Sequence, residues 1–335
     1  MSMTERLNSL NRKRLMNIGR VLISVIIVGY LFYVADTNQL AERLRGVKIG
    51  FLLIMALIIN FDRHVMAFKW NLLLRAKGVV YPFWSAVGSY YRAGFYGIFL
   101  PTIGADSVRI VDVSQKTGRT DEVIASIAVE RLFGILATVM LGIVNLFVFV
   151  WFIGSNQELE ENIPILIAML AGGIAFILIT LNKRVIDFFL NRIKLPDWKI
   201  AGKIKEIIQA YQSYANHPRA LFIFLLLTIF EQLIPAFSTF YISEALGLNI
   251  DLIYFIIFVP LILLIVRAPI TFEGFGLREG LFVYFFSFVG VETADSFLLS
   301  VLFSVLWQLS TAPFMIYYFW GQRDWEAPKP EEITA

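Results

Sequence analysis

Two segments of this chain set backbone-breaking residues beside a carboxylate and an arginine within otherwise apolar sequence. The first reads Leu100-Pro101-Thr102-Ile103-Gly104-Ala105-Asp106-Ser107-Val108-Arg109. The second reads Pro269-Ile270-Thr271-Phe272-Glu273-Gly274-Phe275-Gly276-Leu277-Arg278-Glu279. Proline removes an N–H and glycine admits φ values closed to other residues, so each segment should interrupt a helix. The N–H groups freed by such a break, together with a guanidinium, can converge on an anion such as a phosphate. Arg109 and Arg278 are therefore candidate substrate-binding residues, with Pro101, Gly104, Pro269, Gly274 and Gly276 as candidate hinges.

Further ionisable residues stand inside apolar runs, where charge is costly and points to function by default. Asp62, Arg63 and His64 fall in the middle of one run, Glu130 and Arg131 in another, and Glu231 stands with Gln232 in a third. Glu130 and Arg131 are adjacent, so on a helix they point apart and each needs a partner on another element. Asp106 and Arg109 are three apart and can meet if that stretch is helical. The candidate substrate-binding set is Arg63, Asp106, Arg109, Glu130, Arg131, Glu273, Arg278 and Glu279. Its acids would orient the arginines or meet a cationic group directly. The structural alternative is that these residues pair with one another and hold the helices together.

Signals for bond-making chemistry are thin. No HExxH, GxSxG, Walker A or GxGxxG pattern is present. Cysteine is absent, and His64 and His217 are the only imidazoles. No catalytic residue, metal site or cofactor is expected.

The elements that must position these residues follow from composition. Of 335 residues, 58% are hydrophobic and only 16% charged, against roughly 25% in soluble domains. The mean hydropathy is +0.71. Apolar runs at 18–36, 49–70, 122–151, 163–182, 219–244 and 294–320 approach or exceed the ~20 residues needed to cross a bilayer. Two further apolar regions, 82–100 and 251–289, flank or contain the broken segments. The fold class is all-α, a polytopic helical membrane protein of about eight hydrophobic helices. Strands of a membrane barrel would alternate apolar and polar residues, and these runs do not. A net charge of +3 is too small to imply a nucleic-acid partner.

Charge bias sets an expected orientation. Residues 183–205 carry seven Lys/Arg and should face the cytoplasm, whereas 152–162 carries three glutamates and no basic residue. Both termini then fall inside an inner membrane, with no cleavable signal. Residues 1–17 form a basic cytoplasmic N-terminus and 321–335 a cytoplasmic tail. A single membrane domain covers 18–320, and 183–217 is a basic amphipathic connector. A complete crossing by 82–100 would invert 183–205, so 82–118 is read as a re-entrant hairpin and 251–289 as its counterpart. Pseudo-repeats about 49–151 and 219–320 would then form an inverted repeat, the hairpins meeting near the midplane. Arg43, Arg45 and Lys48 resist this orientation, since 37–48 should lie outside.

The stretch "FYGIFLPTIGADSVRIVDVSQKTG", followed by "ASIAVERLFG", resembles the transmembrane, flippase-like domain of the lysylphosphatidylglycerol synthases. The matching positions are Pro101, Gly104, Asp106, Arg109, Glu130, Arg131 and Gly134. Upstream, "RHVMAFKWNLLLRAKG" is similar to the family's second span at Arg63, Trp70 and Arg75. Downstream, "RAPITFEGFGLREG" looks like its second signature at Pro269, Gly274, Gly276, Arg278 and Glu279. Bifunctional members add a soluble aminoacyl-transferase domain, and this chain ends soon after its last span. The resemblance therefore implies a stand-alone member that moves a lipid with a charged headgroup between leaflets, without synthase activity. The lipid could be a phospholipid, an aminoacyl-phospholipid or a polyprenyl-phosphate-linked lipid. The alternatives are an intramembrane enzyme or accessory protein of glycolipid or polyprenyl-phosphate sugar assembly, and a scaffold acting through 183–217. Membrane lipids are the expected partners, and a homo-oligomer or a separate lipid-modifying enzyme stays open.

Overall fold

A computed structural model describes residues 45–97, 102–153, 199–267, 271 and 274–320, and single positions between 168 and 184. The expected span 18–36, both termini, most of 154–198, Pro101, Pro269 and Glu273 lie outside the described residues. Among the described residues every regular element is a helix, and the chain is a polytopic helical membrane protein. Four stretches are long and apolar enough to cross a bilayer: Ile49–Ala76, Thr120–Phe149, Pro218–Leu246 and Thr293–Tyr318. They coincide with the four described spans read from hydropathy.

The helices follow one another in a pattern that occurs twice. α1 (Ile49–Ala76) is long, α2 (Phe83–Gly97) and α3 (Thr102–Thr117) are short, and α4 (Thr120–Ile153) is long. After α5 (Lys199–Gln212), a long stretch is divided into α6 (Pro218–Glu231) and α7 (Ile234–Leu246). Short α8 (Leu252–Val266) and α9 (Leu277–Ser287) follow, then long α10 (Thr293–Trp320). The division between α6 and α7 has a local cause. Pro235 cannot donate to the carbonyl four residues back, and its ring clashes there, so the helix turns at Gln232–Leu233.

α2 and α3 contain 15 and 16 residues. At 1.5 Å per residue they extend only ~22–24 Å, short of the ~30 Å hydrocarbon core. They pack side by side across a short connection, so they run antiparallel. Asp112 of α3 fastens them. It accepts hydrogen bonds from Ser89 and Arg92 of α2 and from the hydroxyl of Tyr81, and pairs with Lys116 at 3.2 Å. α8 and α9 likewise pack against each other. Phe255, Phe258, Phe282, Phe285 and Phe286 fill the space between them, with Phe258 and Phe286 centroids 5.3 Å apart.

The described residues divide between two compact units. The first holds α1 up to Ile58, α4 from Gly142, and Pro235–Trp307, which includes the α8–α9 pair. The second holds Ile59–Leu141, the segment through α5 and α6 up to Ile234, and α10 from Gln308. The core of the second unit is built around Trp70, Tyr81, Tyr90 and Tyr91, closed by Met315 of α10. Small residues allow that closure: a Cβ at Gly88 would lie 2.8 Å from the Tyr318 ring, and one at Gly94 would lie 2.9 Å from Met315.

Candidate functional site: a buried charge cluster

The second unit assembles four of the sequence candidates into one network. Arg109 of α3 is only 3% exposed. Its Nη1 donates to Glu130 Oε2 at 2.9 Å and its Nη2 to Asp106 Oδ1 at 2.7 Å. The flat guanidinium is flanked by aromatic rings, its carbon 4.5 Å from the Tyr90 centroid and 5.0 Å from that of Trp70. Those rings are fixed in turn. The Tyr90 hydroxyl donates to Glu130 Oε1 at 3.0 Å, and the Trp70 indole donates to Ser126 Oγ at 2.9 Å. Asp106 also accepts from Arg131 of α4, with Nε at 2.8 Å and Nη2 at 2.6 Å. Arg131 is the open end of the network, its side chain 49% exposed.

The geometry follows from helical spacing. Asp106 and Arg109 meet because α3 is helical across both. Glu130 and Arg131 point apart, so one reaches inward to Arg109 and the other reaches Asp106. Two cations and two anions leave the cluster neutral, which is how buried charge is tolerated. Arg109 and Glu130 are fully engaged inside this network, and a ligand could touch them directly only by displacing one of their pairs. Arg131 alone among the four presents a broad surface to a ligand. Gly104 lies in the first turn of α3 rather than in an irregular break.

Arg63 stands apart from these pairings, with Nη1 3.4 Å from Met66 Sδ. A second buried group occupies the same unit. Lys69 of α1, 3% exposed, forms an ion pair with Glu231 at the end of α6. Its Nζ also lies 3.4 Å from Thr228 Oγ1 and 5.1 Å from the Phe224 centroid. Sequence reasoning missed Lys69 and Tyr90. Lys69 stands one residue before the end assigned to its span, where a lysine usually reaches out to the headgroups, and a tyrosine carries no charge to flag it. The signal that could have found Lys69 is its seven-residue separation from Asp62, two turns along one helix face.

In the first unit, the second broken segment makes a tight entry into α9. Gly274 and Gly276 have φ of 78° and 82°, the left-handed region that favours glycine. The Gly276 N–H donates to Glu279 Oε2 at 2.6 Å, so a carboxylate from the first turn caps the helix start. Glu279 is 2% exposed and also faces Ser300 Oγ at 3.4 Å. Arg278 donates to Glu279 Oε1 at 3.2 Å and lies over the Phe275 ring at 5.3 Å.

Beyond the end of α1, a cavity of about 290 Å³ is lined by Lys77, Arg119, Asp121, Glu122, Glu206 and Ser213. Burial lowers the Lys77 ammonium pKa, an effect that Glu122 opposes and Arg119 adds to. Arg119 is already bound to Glu122 at 2.8 Å.

Most of the membrane-spanning region of the chain takes part in one comparison. Residues 17–312 match the family model of the lysylphosphatidylglycerol synthase TM region. No curated protein matches the sequence. The match spans both hairpins and the charge cluster, and it ties the chain to membrane lipids. This apolar, multiply spanning chain belongs to the lysylphosphatidylglycerol synthase TM region family.

Proposed function

We propose that this protein moves a lipid with an anionic or zwitterionic headgroup between the leaflets of the inner membrane, without altering it chemically. The observation that supports this most is Arg131. It is a half-exposed guanidinium within a membrane span, paired with Asp106, which the buried Arg109 holds from the other side. Intramembrane arginines face protein or water-filled space rather than lipid tails. Its fork suits two oxygens of a phosphodiester at once. The headgroup would travel along this polar face while the acyl chains remain in the bilayer. Arg278 is assigned the same kind of contact in its own unit.

The test is purified protein in liposomes holding a fluorescent phospholipid, with no cosubstrate. Translocation should accelerate, and the recovered lipid should be chemically unchanged. Arg131→Ala and Arg278→Ala should each lower the rate roughly ten- to a hundredfold, the loss expected for ~1.5–3 kcal/mol of charge-assisted hydrogen bonding. Arg131→Lys should recover part of it, because an ammonium keeps charge and loses the fork. A chemically new lipid product, or full translocation by the Arg131→Ala protein, would overturn the assignment.

Orientation is part of the same proposal. The Glu244–Asp251 connection carries no basic residue, so it is placed outside and both termini inside. The native chain has no cysteine, so Asn249→Cys gives a single label site at an exposed position. An impermeant thiol reagent should label it in intact cells, and labelling only after permeabilisation would reverse the orientation.

A further inference from the structure

We propose that Asp62 and Glu231, sharing the single ammonium of Lys69, form a membrane-embedded proton-binding site that couples transport to a pH gradient. The binding part stands on the burial of Asp62, its place two turns from Lys69 along α1 and the Lys69–Glu231 ion pair, whereas the coupling part rests on the lipid-transport reading above.

Asp62 lies two turns before Lys69 on α1 and is 3% exposed. Among the described residues no hydrogen bond or ion pair reaches its carboxylate. Among the described residues, the charged groups acting on it are Glu231, Arg63 and Lys69. Lys69 is committed to Glu231. Arg63 is the next residue in the helix, points about 100° away around it, and donates toward Met66. From α2, Tyr91 also faces this region, but its hydroxyl donates to Asn60 Oδ1 at 2.7 Å. A buried carboxylate and a largely buried one thus compete for one ammonium.

A carboxylate left in low dielectric without a partner is neutralised by taking up a proton. Glu231 adds to the excess of negative charge. It is the last residue of α6, at the negative end of that helix's dipole. A metal cation would need a shell of oxygens and would be repelled by Lys69, so the proton is the ligand that fits. Tyr90 supplies the link to lipid. Its ring packs edge-on against Trp70, the residue after Lys69, while its hydroxyl holds Glu130 of the Arg109 cluster.

The protein reconstituted in nanodiscs should show, by infrared difference spectroscopy, the carbonyl stretch of a protonated carboxylic acid. The band should appear between mildly alkaline and mildly acidic buffer, a range in which exposed carboxylates stay ionised. It should vanish in Asp62→Asn, an isosteric change, and persist in Asp106→Asn. In liposomes, an inward or outward pH gradient should change the wild-type lipid rate severalfold in opposite directions. Asp62→Asn should still move lipid but ignore the gradient. No band in the wild type, or a band unaffected in both Asp62→Asn and Glu231→Gln, overturns the site. A band with gradient-insensitive wild-type translocation overturns the coupling and leaves lipid transport standing. A band with no translocation at all retains the site and removes the lipid reading.

Discussion

Arg109→Met should destabilise the protein by about 3–5 kcal/mol, more than any other change in the charge cluster. The side chain is 3% exposed and satisfies two carboxylates at once. Its removal leaves Glu130 with only the Tyr90 hydroxyl, in an interior where a lone charge is very costly. Asp106 fares better because it keeps Arg131. The remedy is therefore specific. Arg109→Met combined with Glu130→Gln should recover most of the lost thermal stability, because neither half of the broken pair remains charged. Arg109→Met combined with Asp106→Asn should recover little. Arg131→Ala should barely change stability, since its ion pair is half in contact with its surroundings and correspondingly weak. Thermal unfolding of these variants in detergent separates the cases. A stable Arg109→Met protein would mean that Arg109 is not a structural keystone and is free to bind substrate.

Gly274→Ala should be nearly as damaging, for an unrelated reason. The residue has φ of 78°, and an added Cβ would lie 2.3 Å from Val266 Cγ1. The left-handed conformation costs an L-residue ~1–2 kcal/mol, and forcing a methyl into occupied space ~1–3 kcal/mol more. A loss of about 2–5 kcal/mol is expected. Adding Val266→Ala should return only the steric part. Gly280→Ala is the control. Gly280 lies within α9, and a Cβ there meets nothing within 4 Å, so the change should be neutral or slightly stabilising. Equal effects at Gly274 and Gly280 would show that the entry into α9 is looser than the structure describes.

Much of this architecture was legible in the sequence because lipid imposes strong rules. Four long spans declared themselves by hydropathy, and the charge bias of 183–205 forced a hairpin reading of 82–118. α2 and α3 are short and pack side by side, as the two arms of a hairpin would. The Asp106–Arg109 contact followed from helical spacing, and the need of Glu130 and Arg131 for separate partners followed from their adjacency. What the sequence hid was tertiary. Hydropathy cannot tell that the lysine near the end of α1 turns inward to Glu231 rather than outward to headgroups. Nor can it tell that Tyr90 and Trp70 sandwich Arg109. Gly104 stands in the first turn of α3, just inside the helix start. Pro235, by contrast, divides a span that hydropathy read as continuous.

Asp106 answers to two arginines of unlike character, one sealed among aromatic rings and one at the edge of the protein. That sharing makes the network behave as a mechanical linkage. Displacing Arg131 pulls on the carboxylate that Arg109 leans against, and through Arg109 on Glu130, Tyr90 and Trp70. The inner link cannot slip without leaving Glu130 a lone charge, whereas the outer Arg131–Asp106 link can yield, because Arg109 still holds Asp106. α3 and α4 are thereby geared together with the inner face of α1 through Arg109, with Arg131 as the compliant outer link.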